Sequence, residues 1–506
     1  MENMGFIRPK FGTFAALGFT AVLACTSQGL AQETVRIQGI ENMAGLDRYA
    51  VNGVGQDSIA MLWGDMLVSS DHNGNYTPGA ITEWLWADDG LSVTLNVRDG
   101  VVFSNGEPMT SEDIAFTILR LKSPELPNAR AWDVVDTVET PDAHTAVVRF
   151  SAPMPIFLNL ASRTPVLDAS AFAANPAGYF AAPIGTGPYA VVEFDGPTGT
   201  VVLEKKDDWW GWTDDNQTNV STIQYRYSPA EQSRISALLA GEVDIIQKVP
   251  VNEAKRLEDE GFSIESYIEN SQVYIGLRVK EGSAFADPLL RQALSKSIDR
   301  QAIVTSLLGG GRVSTWPSMP GSVGYRENPG YDYDPQGAAA LVQQSGYDGR
   351  ALNFYLPNGL FAQGKEIGET IQAMAAGSGI NLAVQTLETA TFQEYISAGN
   401  YDLYMNSFTM VNADSFTQIT SLIGRDRFNT GYANPEVTRL AGEAGVAVDL
   451  EKRGEITAEA YRHIMNDFAP GLYLYEPMGV TASASGVSGF VSFPDMVADF
   501  RFMHKD

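Results

Sequence analysis

Residues Thr77 to Arg120 read TPGAITEWLWADDGLSVTLNVRDGVVFSNGEPMTSEDIAFTILR, and their punctuation decides the fold class. Leu91, Val93, Leu95 and Val97 alternate with Ser92, Thr94, Asn96 and Arg98, a period of two that predicts a half-buried strand. Upstream, Ala80 to Trp86 is short, apolar-rich and bounded by Pro78-Gly79 and Asp88-Asp89-Gly90, which predicts one or two helical turns. Downstream, Asp99-Gly100 turns the chain into Val101-Val102-Phe103, and Ser104 to Pro108 turns it again. Thr110 stands three residues before Asp113 in the spacing of a capping box. The helix it opens carries Ile114, Ile118 and Leu121 on one face.

The ordered set Trp84, Asp89-Gly90-Leu91, Thr94, Leu95, Val97 to Val101, Phe103, Gly106, Pro108, Thr110 and Glu112-Asp113 resembles the signature of the family 5 extracellular solute-binding proteins. These are the peptide/nickel class that serves ABC importers. Further landmarks keep the family order: Gly185 to Tyr189, Trp209-Trp210-Gly211, Ala240 to Ile245, Arg291 to Leu294 with Asp299-Arg300, Tyr432, Asn434-Pro435, Lys452-Arg453 and Ala469-Pro470. One departure is Arg48, which follows Leu46-Asp47 where the family usually has proline.

The resemblance implies an α/β, two-lobed periplasmic binding protein, type II-like, of the large class with an extra subdomain in lobe I. Lobe I would comprise residues 32–270 and 477–506, with the subdomain at about 70–182, and lobe II residues 271–476. The chain would cross between them near Asn270 and near Glu476. It also implies capture of a solute without chemistry, no cofactor, an ABC permease as partner and a monomeric state.

At 506 residues the chain exceeds one ordinary core, which agrees with more than one lobe. From about Val273 strands alternate with helical segments: Val273 to Leu277, Leu352 to Leu356, Leu382 to Gln385 and Tyr401 to Tyr404 are separated by helices opened at Asp287-Pro288 and Asp334-Pro335 and near Glu366 and Phe392. That alternation predicts a parallel or mixed sheet with helices on it. The formal charge of −27 argues against a nucleic-acid partner, whose backbone would be repelled, and says little about a small ligand.

Arg8 and Lys10 precede an apolar run from Phe11 to Ala24, and Gly29-Leu30-Ala31 has the small residues of a cleavage site. The expectation is an export signal over residues 1–31 and a periplasmic protein. Lipidation at Cys25, the single cysteine, is the alternative.

The chain has four histidines, none near another in sequence, and no His-Glu-x-x-His, Gly-x-Ser-x-Gly or phosphate-loop pattern. No metal site is expected. A secreted hydrolase using two carboxylates, such as a glycosidase, is the alternative class.

For binding, the loop Asn406 to Asp414 leaves a strand end where α/β sheets hold ligands, which nominates Phe408, Met410, Asn412 and Asp414. In peptide-binding relatives this loop supplies an aspartate for the ligand's amino terminus. Alignment on Phe408 puts Val411 there, so Asp414 either takes that role or caps the next helix. Trp316, in a proline-bracketed loop after Gly309 to Gly311, is expected to line the cleft, with Trp132 and Tyr49 from lobe I. Trp84, Trp209 and Trp210 read as core. The solute is expected to be peptide-like, opine-like or an oligosaccharide.

Overall fold

The computed structural model describes residues 33–50, 55–71, 75–410, 414–420, 426 and 428–506. The expected export signal, with Cys25, lies outside them.

Three sheets organise the chain. A seven-stranded sheet has the order 263–268, 478–483, 245–246, 33–39, 220–227, 200–205, 189–195. The Glu33–Gly39 strand is its centre, parallel to both neighbours and buried at every second residue. A six-stranded sheet has the order 312–313, 471–476, 271–277, 403–409, 352–357, 382–387. It is mixed: Leu352–Pro357 runs parallel to both neighbours, and Ser271–Leu277 is antiparallel to both of its own. Ser271–Leu277 is buried along its whole length, because helices and strands cover it on both faces.

The third sheet is antiparallel, in the order 81–86, 92–97, 145–150, 135–142, and is covered by the Ser111–Arg120 helix. The capping box of that helix is present, with Thr110 and Asp113 bonding each other's backbone. The expected helical turns at Ala80 to Trp86 are instead the Ile81–Trp86 strand, with Trp84 opposite Leu95 and Trp86 opposite Val93. Six residues rich in aromatic and β-branched side chains cannot nucleate a helix alone. The tight turn closed by Gly90 N–H on Ala87 O returns them directly onto the next strand. There Trp86 stacks on Phe150 with ring centroids 5.7 Å apart.

Gly185 and Gly187 are required by contact rather than by any cofactor. A methyl on Gly185 would lie 2.0 Å from the Trp63 carbonyl oxygen, and one on Gly187 2.5 Å from that of Leu62. Trp209 belongs to the interior as expected and Trp210 is half-buried beside it, and the two share a purpose invisible in sequence. Both indole N–H groups donate to the buried Asp65 carboxylate, at 3.2 and 2.8 Å. Burial pushes the Asp65 carboxyl up, and these donors partly offset it.

The chain's last residues return to the seven-stranded sheet. Lys505 Nζ donates to Asp244 Oδ1 at 3.0 Å, and Arg36 donates its backbone N–H and Nε to Oδ2 at 2.8 and 3.0 Å. Burial alone would raise this carboxyl, yet the Arg36 and Lys505 bonds outweigh it and hold it below its ordinary 3.8. Stability from this cluster is therefore present above pH 3.8 and lost as pH falls through the depressed folded value. In acid titrations followed by circular dichroism, Asp244→Asn should be less stable than wild type at neutral pH, and the gap should shrink below 3.8. A gap independent of pH would refute this role.

Candidate functional site

The two large sheets are joined where the chain passes from Ile268 through Glu269-Asn270 to Ser271, and again from Glu476 through Pro477 to Met478. These crossings lie side by side, with Glu269 N–H on Pro477 O at 2.9 Å. Each carries an ion pair. Lys248, in a left-handed backbone conformation, pairs with Glu269, and Arg312 Nε donates to Glu476 at 2.5 Å. The glycines before Arg312 allow the close approach: a methyl on Gly311 would meet the Glu476 carbonyl oxygen at 2.7 Å. Burial pushes the Glu476 carboxyl up, opposed by Arg312.

Residues 155–164 pack on the core of the four-stranded sheet and reach Arg453 through Pro155. The Phe157–Ala161 helix and its flanks put Pro155, Asn159 and Arg163 at four-residue spacing, on one face. At one end, Arg453 Nη1 donates to the Pro155 carbonyl at 2.9 Å. In the middle, the Asn159 side chain bonds the Tyr76 hydroxyl. Burial pushes that hydroxyl up, with Asp414 adding to the shift and Arg453 opposing it. At the other end, Arg163 pairs with Asp57, and Thr164 bonds Tyr49.

Two charged groups therefore face this junction. On the six-stranded side, Arg453, which has no exposed surface, is ion-paired with Asp414, itself 1% exposed. Its Nη1 also donates to Ala447 O at 3.1 Å, and its Nε has no acceptor among the described residues. On the seven-stranded side, Asp57 holds two guanidiniums, Arg48 and Arg163. Arg163 is 7% exposed, and among the described residues it bonds Asp57 alone, through Nη2. The second positive charge there is unmatched by this carboxylate. Glu41 stands close enough to feel Asp57 and Lys248, and burial pushes its carboxyl up.

The seven residues nominated by sequence are distributed unevenly. Asp414 is at the junction: it accepts the Phe416 N–H at 3.2 Å, as the expected cap does, and its charge is taken by Arg453 rather than left for a ligand amine. Tyr49 is half-buried beside the Arg48–Asp57–Arg163 cluster, and burial pushes its hydroxyl up to about 12. Phe408 is half-buried opposite Gln272, next to the first crossing.

Met410 is fully buried and donates its N–H to Asn270 O at 2.7 Å. Trp316 is 3% exposed among Tyr461, Tyr274 and Tyr473. It packs into the buried aromatic cluster beside the six-stranded sheet, where the sequence suggested open cleft lining. Trp132 is buried in the core of the four-stranded sheet, edge-on to Phe157, and its indole N–H has no partner among the described residues. Asn412 lies outside the described residues.

Sequence reasoning missed Asp57, Asn159, Arg163 and Arg453. Arg453 was visible only as a landmark, and Asn159 with Arg163 straddle a helix too short to show a period. The one local signal was Arg48 in place of the family's proline, an extra charge beside a structural turn.

Residues 75–429 match the family model of bacterial extracellular solute-binding proteins, family 5 Middle. The chain belongs to this family. Its members bind solutes for ABC transporters and carry out no reaction, so the hydrolase alternative falls away. The glutathione-binding protein GsiB of Pectobacterium atrosepticum is 22% identical over 96% of both chains. The oligopeptide-binding protein AppA of Bacillus subtilis is 24% identical over 88% of this chain and 86% of its own. Among solved structures, the ABC transporter substrate-binding protein CtaP of Listeria monocytogenes superposes with a TM-score of 0.83 at 21% identity, covering 94% of this chain and 99% of that one. The fold is thus the mixed α/β periplasmic binding protein fold over nearly the full length.

Proposed function

We propose that this family member captures a peptide-like solute outside the cytoplasm, between lobe I (residues 32–270 and 477–506, with its subdomain at about 70–182) and lobe II (271–476). The loaded, closed monomer then docks on an inner-membrane permease. Relatives named for glutathione, oligopeptides and murein peptides support the peptide-like class.

The observation that carries the reading is the charge arrangement of the junction. Asp57 and Asp414 each already hold a guanidinium, while Arg163 keeps donors to spare. A ligand ammonium would enter a desolvated space without a free carboxylate at either position, at high cost. A ligand carboxylate or carbonyl would instead complete the Arg163 donor set. The preferred solute is therefore a peptide whose amino end is blocked or absent, or an opine-like dicarboxylate, with Tyr49 and Phe408 as apolar contacts.

Calorimetry with matched pairs of free and N-acetylated di- and tripeptides tests this directly. The acetylated member of each pair should bind more tightly, and Arg163→Ala should weaken it by about 10- to 100-fold, the worth of one charged hydrogen bond. Tenfold tighter binding of the free amines would sink the reading.

A further inference from the structure

The start of the Leu450–Asp467 helix and the residue before its cap reach across the junction at two points, and neither uses the Arg163 donors assigned to the solute. Arg453 Nη1 donates to the Pro155 carbonyl, 298 residues away, at 2.9 Å. Val448, just before the helix cap Asp449, meets the Asp88-Asp89-Gly90 turn of the four-stranded sheet, where a methyl on Gly90 would lie 3.4 Å from Val448 Cγ1. Asp414 holds the guanidinium through Nη2, and the Ala447 and Pro155 carbonyls share Nη1.

We propose that this helix start is a latch: Arg453 is a positioning residue that fastens lobe II onto the subdomain of lobe I, and with Val448 it sets the balance between closed and open forms. The reasoning is local. The Asp414–Arg453 pair lies within lobe II and survives separation of the lobes, whereas the bond to Pro155 exists only when they meet. A guanidinium already oriented by two acceptors loses little freedom on making the third bond. That bond forms in a site from which water is excluded, so it counts more than a surface contact. Being independent of the solute, it adds the same increment to the closed form whichever compound is held.

The test needs no ligand. Leu119 in the subdomain and Tyr395 in lobe II are both exposed; as cysteines in a Cys25→Ser chain they take a fluorophore pair for single-molecule distance measurements. Arg453→Lys keeps a charge for Asp414 but cannot span Asp414, Ala447 and Pro155 together. It should shift the closed-to-open ratio about tenfold toward open.

Should that variant fail to fold, Val448 gives a surface route. Val448→Glu sets a carboxylate against exposed Asp88 and Asp89 and should open the protein, and Val448→Lys should close it. Both shifts should fade in 1 M salt. Unchanged distance distributions in the folded Arg453→Lys protein would overturn the latch, as would Val448→Glu and Val448→Lys shifting it in the same direction. Because no solute enters the measurement, failure here leaves the peptide assignment standing, and failure of the peptide assignment leaves the latch testable.

Discussion

Arg453→Met should cost the folded protein about 3–5 kcal/mol, because it leaves Asp414 as an uncompensated charge in a site without water. Few single changes in this chain have so large an expected effect. Arg453 has no exposed surface, donates to Pro155 and Ala447 as well as Asp414, and is anchored on a long helix packed through Thr457 and Tyr461. Urea unfolding read by far-ultraviolet circular dichroism should show an early transition for the part built on the six-stranded sheet, with the seven-stranded sheet less affected, so one overall midpoint would be misleading. Combining Arg453→Met with Asp414→Leu should recover most of the loss, since an apolar pair leaves no stranded charge. If the single change costs under about 1 kcal/mol, the pair is solvated and its burial here is wrong.

Trp316→Ala should be nearly as damaging, at about 3–5 kcal/mol, the range for emptying a buried tryptophan site. The ring meets Tyr461 edge-on with centroids 6.4 Å apart, its indole N–H donates to Gly324 O at 3.0 Å, and its carbonyl accepts Gln272 Nε2 at 2.7 Å. Trp316→Phe keeps most of the volume but strands the Gly324 carbonyl, so about 1–2 kcal/mol is expected. This pair of variants also separates the two readings of the residue. A Trp316→Ala protein as stable as wild type but unable to bind solute would mean that the ring faces the cleft. Loss of stability with binding retained in the remaining folded fraction would place it in the core, as the structure does.

Much of this architecture could be read from local chemistry. The capped helix at Thr110, the alternation of the Ser92–Val97 strand and the Asp287-Pro288 and Asp334-Pro335 helix starts follow from backbone and side-chain preferences acting within a few residues. Ile81–Trp86 departs from the expected helical turns because so short an apolar-rich stretch has no decisive period of its own, and its strand state is imposed by the neighbour it pairs with. The aromatic residues misled for a related reason. Trp316 and Trp132 sit in sequence surroundings typical of exposed loops, yet distant segments close over both.

What the sequence by itself determined is the family, its order of landmarks and the mixed α/β pattern, since these rest on short-range spacing that survives being read one stretch at a time. Only the tertiary structure decided which charges meet: Asp57 with Arg163, Asp414 with Arg453, and Arg453 with the Pro155 carbonyl, partners 106, 39 and 298 residues apart. A charge carries no mark in sequence of whether it will be buried or which residue will neutralise it. That depends on desolvation and distance, which exist only once distant segments have folded together.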